Sequence, residues 1–418
     1  MDSVALPAAR PRAAVSRCLR AVLLVAAATA SGAWGQALTE REAIDASLAR
    51  ASFRDALAGA TAAAEAEVSA AQLWSNPTLD YDLERVSGDR GRSEEQILRL
   101  SQVFDISGRR GLRRDAAGRR LDAAQAAAAG READAVGEVR RVFFETLAGQ
   151  RRTAAMEAWL GRLVSAEQVV AQLARAGEIS GYDRRRLARE RVSAEARRAS
   201  SRAELERSRE RLAAQTGRPV AAVAGELLPP PAPPLSGIQA ALEARPELRV
   251  LEARAAALDQ ERLAAARGWI PDVTLGAGPK RVTEPDGSAD GAVLSVSIPL
   301  PLFDRGDAAS RRLAGEALAA RGELGLARMR AEGEARGLWR QAGLLRDTAL
   351  RFRGDSVEAS RDLARIAEAA YRAAEGSILE LLDAHRALLD AEGEAIALEL
   401  AARLALIELD QISGEFPR

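Results

Sequence analysis

The chain has 418 residues, and its 60 basic and 60 acidic side chains give a formal net charge of zero at pH 7. That balance gives no reason to expect nucleic-acid binding, which requires an excess of positive charge. Aromatic residues make up 4% of the chain, whereas alanine, leucine, glutamate and arginine are abundant. Such a composition favours long, thin helical packing over a broad globular core.

The first 35 residues have the order of a secretory signal peptide. Four arginines precede the short apolar run 21–30, and Ala33-Trp34-Gly35 offers small residues for cleavage before Gln36. Cleavage would remove Cys18, the only cysteine, and leave 56 basic and 59 acidic side chains. No later apolar run reaches the length of about 18 residues that a membrane-spanning helix needs.

The remainder of the chain is an internal repeat. Trp74-Ser-Asn-Pro77 is echoed by Trp269-Ile-Pro271, and Phe104-Asp105 by Phe303-Asp304, at separations close to 197 residues. We therefore divide the chain into a first repeat, 36–224, a proline-rich linker, 225–235, and a second repeat, 236–418. The linker holds too many prolines to be helical, and we expect it to be extended.

Each repeat predicts the same elements in the same order: a helix, two strands, and two helices joined by a tight turn. The predicted elements are, in chain order, helix 40–73, strands 78–86 and 94–103, helices 110–174 and 183–216, helix 236–268, strands 272–280 and 291–299, and helices 307–373 and 378–412. The first helix of each pair would be on the order of 90 Å long. In the last helix Leu382, Leu389 and Ile396 recur every seven residues, with Leu381 and Leu388 beside them, which is typical of coiled-coil packing.

The four strands alternate apolar and polar residues and have about the length that a tilted barrel strand needs to cross a membrane. Aromatic residues occupy all four junctions between strands and helices, as an interfacial girdle requires: Trp74, Phe104, Trp269 and Phe303. Four strands cannot close a barrel, and lipid does not tolerate an open sheet edge. We therefore expect oligomerisation, and three copies would supply twelve strands.

Taken together, the signal peptide, duplicated halves and junction motifs resemble the TolC-type outer-membrane factors over residues 38–414. The Trp269-Ile-Pro271 junction and the run 297–305 are most similar to the cobalt–zinc–cadmium branch of that family. The resemblance implies a mainly α fold with a small β part. It also implies a trimer in which long antiparallel helices form an α-barrel tunnel below a twelve-stranded transmembrane β-barrel.

The same resemblance implies an outer-membrane location with a periplasmic extension and a passive role in a three-component efflux system. An adaptor protein and an inner-membrane pump of the RND type would be the partners, the outer-membrane lipid would surround the barrel, and metal cations are the first expectation for the cargo. It implies no enzymatic activity, no cofactor and no contact with nucleic acid.

The turns between paired helices would form the periplasmic tip. The resemblance places adaptor docking there, at Gly177, Glu178, Ile179, Ser180, Gly376, Ser377 and Ile378. Glu380 and Asp383 match paired acidic rings that favour cations at the closed end. Tyr371 and Asp183 match two members of a tyrosine–arginine–aspartate lock, but Gly376 stands at the arginine position. Arginines 184–186 could substitute.

Two other interpretations stay open. The first is a periplasmic coiled-coil scaffold or adaptor without a pore, which explains the helices but not the alternating strands or the aromatic junctions. The second is a metal site at Glu380, Asp383 and His385, although their spacing does not put all three on one helix face. A packed or lumen-facing His385 is the simpler expectation. The arginine-rich run 183–191 is expected to be a salt-bridged helix surface.

Overall fold

The computed structural model describes residues 37–89, 91–175, 180–373 and 375–414, and the predicted signal peptide lies outside them. These residues form two compact units. The helical unit contains Val142–Leu227, Ala359–Ile396 and the described part of Met1–Ile44, and the sheet unit contains Asp45–Arg141, Leu228–Glu358 and the described part of Ala397–Arg418. Each unit draws on both sequence repeats, because the long helices contribute residues to both.

The chain is mainly helical with four strands, as the sequence predicts. The elements are α1 (Glu40–Leu48), α2 (Ala51–Gln72), β1 (Thr78–Gly88), β2 (Gly91–Phe104), α3 (Arg109–Arg175), α4 (Gly181–Thr216), α5 (Leu235–Leu242), α6 (Pro246–Ala266), β3 (Val273–Glu284), β4 (Gly287–Ser297), α7 (Asp307–Phe352), a π-helical turn (Arg353–Val357), α8 (Glu358–Arg372) and α9 (Ile378–Ser413). Among the described residues, no helix is both long enough and apolar enough to cross a bilayer.

Three predicted helices are interrupted. The segment 40–73 divides into α1 and α2, because Arg50 has an extended backbone. The segment 236–268 divides into α5 and α6, because Pro246 at the first helical position forces Arg245 out of helical geometry. The segment 307–373 contains the π-helical turn before α8. Neither the π turn nor the break at Arg50 has a sequence pattern that the prediction could have used.

The four strands form one antiparallel sheet in the order β1-β2-β3-β4. They are longer than predicted, since only two residues separate the strands of each hairpin, where the predicted strands left gaps of seven and ten residues. The ladder between β2 and β3 is interrupted beside Gly278 and Pro279. Proline has no N–H to donate, and a side chain at Gly278 would collide with the Leu98 carbonyl.

The two hairpins match each other at one constant offset of 196 residues. Thr78 pairs with Ser101 in the first hairpin, and Thr274 pairs with Ser297 in the second. The ion pair between Arg85 and Glu94 recurs as that between Arg281 and Asp290. Through the sheet, the repeat is thus maintained residue by residue, whereas the junction motifs drift by a few residues because the connecting loops differ in length.

The core of the helical unit contains the predicted heptad stripe. Leu381, Leu382, Leu388, Leu389 and Ile396 are all buried, which confirms that prediction. Trp159 and Leu163 of α3 and Leu187 of α4 belong to the same apolar cluster as Leu382. Residues of α3, α4, α8 and α9 therefore pack together in one apolar cluster.

The proline-rich linker is extended, as predicted, and its carbonyl groups are bound by side chains of the sheet unit. Arg403 donates to the Leu228 carbonyl at 2.7 Å, Arg346 to that of Pro229 at 3.1 Å and the Trp339 indole to that of Pro233 at 2.9 Å. A strand-free, proline-rich segment cannot satisfy its carbonyls internally. The long helices supply the missing donors.

Candidate functional site

One face of the sheet is a continuous apolar surface. The exposed apolar side chains on this face include Leu79, Tyr81, Leu83, Leu98, Leu100, Leu275, Ala277, Leu294 and Val296. The strand registers place Leu79 opposite Leu100, Leu100 opposite Ala277, and Ala277 opposite Leu294, so the surface crosses all four strands. An exposed apolar patch of this extent is typical of a surface that contacts lipid or another protein.

The opposite face is polar. Lys280 is 2.5 Å from the Glu95 carboxylate, Arg99 is 3.2 Å from that of Asp82, and the Ser101 hydroxyl donates to Asp80 at 3.4 Å. Strict alternation along each strand separates these groups from the apolar surface by a single residue. The sheet therefore has one face suited to an apolar medium and one suited to water.

Ion pairs end the apolar face near the hairpin turns. Arg85 and Glu94 meet at 2.7 Å, and Arg281 and Asp290 at 2.6 Å. All four side chains lie on the apolar face by strand alternation. Charged side chains therefore bound the apolar face at the hairpin end of the strands. Aromatic residues lie at the opposite end.

The four predicted aromatic residues lie at the other end of the strands and are all exposed, but the two repeats arrange them differently. Trp74 and Phe104 contact each other edge to face, with ring centroids 6.0 Å apart. The Arg110 guanidinium lies 3.7 Å above the Trp74 ring. Phe303 is entirely exposed, and the residue 199 positions after Arg110 is Ala309, so the second repeat has no matching cation.

In the helical unit, α4 and α9 begin with equivalent caps. Ser180 accepts a hydrogen bond from the Asp183 amide at 3.1 Å, and Ser377 accepts one from the Glu380 amide at 3.2 Å. The Glu380 carboxylate in turn accepts from the Ser377 amide at 3.0 Å. Both sequences fit the capping-box pattern, a signal that the sequence analysis did not use. Glu380 and Asp383 are exposed, as a solvent-facing role requires.

The predicted docking residues do not share one environment. Gly177, Glu178 and Ile179 lie outside the described residues. Ser180 and Ser377 are exposed, and Gly376 is half-buried against Ala370 and the Tyr371 amide. Ile378 is buried in the core of the helical unit, so its side chain does not face solvent in a single copy, and its part in docking stays a prediction.

Tyr371 is buried in the same core, and its hydroxyl group has no hydrogen-bond partner among the residues that the structure describes. Burial raises the pKa of Tyr371, and the negative charge of Asp183 raises it further. The carboxylate of Asp183 accepts from the Ser180 hydroxyl at 2.8 Å. Tyr371 and Asp183 are thus electrostatic neighbours within one chain, without the direct hydrogen bond that a lock would use.

His385 is a packed core residue, as its simpler interpretation predicts. It is 5% exposed, its ring lies 5.8 Å from that of Trp159, and within the described part of the chain its Nδ1 atom has no hydrogen-bond partner. Burial lowers the pKa of His385, and the nearby Arg162 lowers it further, against an opposing effect of Glu368. Across the described ranges, no three His, Cys, Asp or Glu side chains are grouped so that they could hold a metal ion.

An ion pair that was not predicted from the sequence joins the two repeats. Glu190 of α4 accepts from Arg386 of α9 through both carboxylate oxygens, with one contact at 3.0 Å. The hydrogen bonds from Arg386 lower the pKa of Glu190 despite its burial. No sequence signal pairs residues 196 positions apart, although the repeat itself brings equivalent helices together.

Comparison with known proteins agrees with the family resemblance. Residues 237–415 match the family model of the outer membrane efflux proteins. The chain is 32% identical over 278 residues to the nickel and cobalt resistance protein CnrC of Cupriavidus metallidurans, across 62% of each chain. It is 31% identical over 251 residues to the cobalt-zinc-cadmium resistance protein CzcC of the same organism, across 58% of this chain and 57% of that protein.

The fold extends the similarity to nearly the whole chain. The solved structure of the outer-membrane channel OprN superimposes with a TM-score of 0.71 over 90% of each chain, at 21% identity. The curated relatives are matched over only about three fifths of their own length. The match of residues 237–415 to the outer membrane efflux protein model confirms the predicted resemblance, and 90% of the chain has the fold of the channel OprN.

Proposed function

We propose that this chain, whose residues 237–415 match the outer membrane efflux protein model, is the outer-membrane channel of a three-component efflux system. The observation that supports the proposal best is the sheet with one exposed apolar face and one polar face. A wall between lipid and water needs these two surfaces back to back. The protein would act as a passive duct and not as an enzyme.

The duct is a homotrimer in this proposal. Each of the outer strands β1 and β4 lacks a partner along one edge among the described residues, and an unpaired edge in lipid leaves backbone groups unsatisfied. Three copies of the sheet would give a twelve-stranded barrel, within the range known for such barrels. At the periplasmic surface of the outer membrane, a ring of aromatic residues would then form from Trp74, Phe104, Trp269 and Phe303.

The helical unit would form the periplasmic end. Ser180, Gly376 and Ser377, together with Gly177, Glu178 and Ile179, would contact a periplasmic adaptor, and an RND-type pump would supply the energy. Threefold symmetry would turn the exposed Glu380 and Asp383 into two rings of carboxylates that favour cations. Tyr371 and Asp183 would belong to the gate.

Heavy-metal cations are the proposed cargo. Two relatives in sequence are named for resistance to nickel and cobalt, and to cobalt, zinc and cadmium. The carboxylates at Glu380 and Asp383 suit the passage of cations. Deletion of the gene should lower the tolerance of its host to these metals, and a copy supplied in trans should restore it.

The test of the duct uses three readouts on one preparation. We expect the protein to sediment with outer membranes and to run as a trimer on a gel until it is boiled. In planar bilayers it should conduct ions, whereas an extract from cells without the gene should not. A water-soluble monomer without conductance would favour the periplasmic scaffold instead.

A further inference from the structure

The two outer strands of the sheet are equivalent to strands that pair inside it. β1 and β4 are both 11 residues long and largely exposed, and each pairs along one edge only among the described residues. Within the chain, the second strand of the first repeat, β2, pairs with the first strand of the second repeat, β3. The repeat-equivalent contact would join β4 to the β1 strand of another copy.

The constant offset of 196 residues converts this equivalence into a register. Ser101 pairs with Gly276 in the join between β2 and β3. In the second repeat, the residue of β4 equivalent to Ser101 is Ser297, 196 positions later. In the first repeat, the residue of β1 equivalent to Gly276 is Asp80, 196 positions earlier. The adjacent internal pair, Leu100 with Ala277, gives Val296 opposite Tyr81 by the same arithmetic.

We propose that β4 of one copy pairs antiparallel with β1 of the next, with Ser297 opposite Asp80, Ser295 opposite Asp82 and Leu294 opposite Leu83. The proposal rests on the trimeric barrel proposed above and specifies how its three seams align. A two-residue hairpin or a helix cannot set this alignment, because the seam joins separate chains. The side chains of the two strands must do so.

The chemistry of both faces suits this register. On the apolar face it places Ile298 opposite Leu79, beside the pair of Leu294 and Leu83. On the polar face, serine hydroxyl groups stand opposite the carboxylates of Asp80 and Asp82, which accept hydrogen bonds. Opposite residues of an antiparallel pair are close enough for these contacts, with Cα atoms about 4.5–5.5 Å apart.

Slipped registers lose these matches. A slip of one residue would put the apolar residues of β4 opposite the polar face of β1. A slip of two residues in one direction would place Leu294 opposite Arg85, which already pairs with Glu94. The same slip in the other direction would place Val293 opposite Asp82 and leave the carboxylate without a serine donor.

Four cysteine substitutions, combined in pairs, test the register. In a Cys18→Ser background, the predicted pairs are Ser297→Cys with Asp80→Cys and Ser295→Cys with Asp82→Cys. The matched controls recombine the same substitutions, as Ser297→Cys with Asp82→Cys and Ser295→Cys with Asp80→Cys. Each control corresponds to a register shifted by two residues from the proposed one, in opposite directions. Diagonal neighbours are about 7–8 Å apart, too far for an unstrained disulfide.

We expect oxidised outer membranes to give a covalent trimer on non-reducing gels for both predicted pairs and little for either control. Links within one copy are excluded, because β1 and β4 are three strand spacings, about 14 Å, apart. A trimer of native size that links best through a control pair would overturn the register alone. A protein that is monomeric in every variant would overturn the proposed function and the register with it.

Discussion

Glu190 and Arg386 join equivalent helices of the two repeats through two hydrogen bonds. The Glu190 side chain is 9% exposed and that of Arg386 is 37% exposed. The carboxylate is therefore buried, whereas the guanidinium group partly reaches solvent. Removing one partner of a buried pair leaves the other charge without compensation. This contact is therefore the most informative place to perturb the helical unit.

Glu190→Gln should destabilise the protein by about 1–3 kcal/mol, less than for a fully buried pair because Arg386 reaches water. The control is Glu195→Gln on the same helix, whose partner Arg191 is similarly exposed; it should cost at most about 0.5 kcal/mol. Thermal unfolding followed by circular dichroism in detergent measures both. Equal losses in the two variants would show that the pair is not stabilising.

Acid should destabilise the helical unit through His385. Because the folded state lowers the pKa of His385 below its ordinary value of 6.5, the unfolded chain binds the proton more readily. Stability is therefore highest above pH 6.5 and falls as the pH drops through that value. His385 is the only histidine, so His385→Phe removes this titration entirely. The melting temperature of the wild type should drop more than that of the variant between about pH 7.5 and about pH 5.5. Parallel drops would assign the acid sensitivity to carboxylates.

A positive charge on the apolar face of β4 should prevent stable insertion. Leu294→Arg would place a guanidinium group against lipid, at a cost of about 2–4 kcal/mol near the middle of the membrane. Val293→Arg puts the same charge on the polar face one residue away. We expect the first variant to lose heat-resistant trimer and the second to keep it. Similar behaviour of the two would show that this face does not meet lipid.

The sequence is sufficient to predict the elements whose periodicity is strong and repeated. The heptad of Leu382, Leu389 and Ile396, the alternation around Leu79 and Leu294 and the proline-rich linker all carry local patterns. The hairpin turns were predicted too long, because a charged residue such as Asp290 was assigned to a loop although it pairs with Arg281 across the strands. The burial of Ile378 was not predicted, because a helix start does not show which side faces the core.

The proposed acidic rings should set ion selectivity. Asp383→Asn removes one charge from each copy, so the preference for cations over anions, measured as a reversal potential under a salt gradient, should decrease. Glu157→Gln on α3 is the control, since that exposed acid belongs to neither ring. Ser377→Ala should cost about 1 kcal/mol of stability by removing the cap of α9. It should leave the selectivity unchanged, because both carboxylates remain.

The mass of the purified particle, corrected for bound detergent, tests the central claim most directly. One copy provides four strands and two free edges, so a membrane duct requires several copies. We predict a particle of three chains that stays intact in mild detergent. A particle of one chain, stable and free of detergent, would contradict the account.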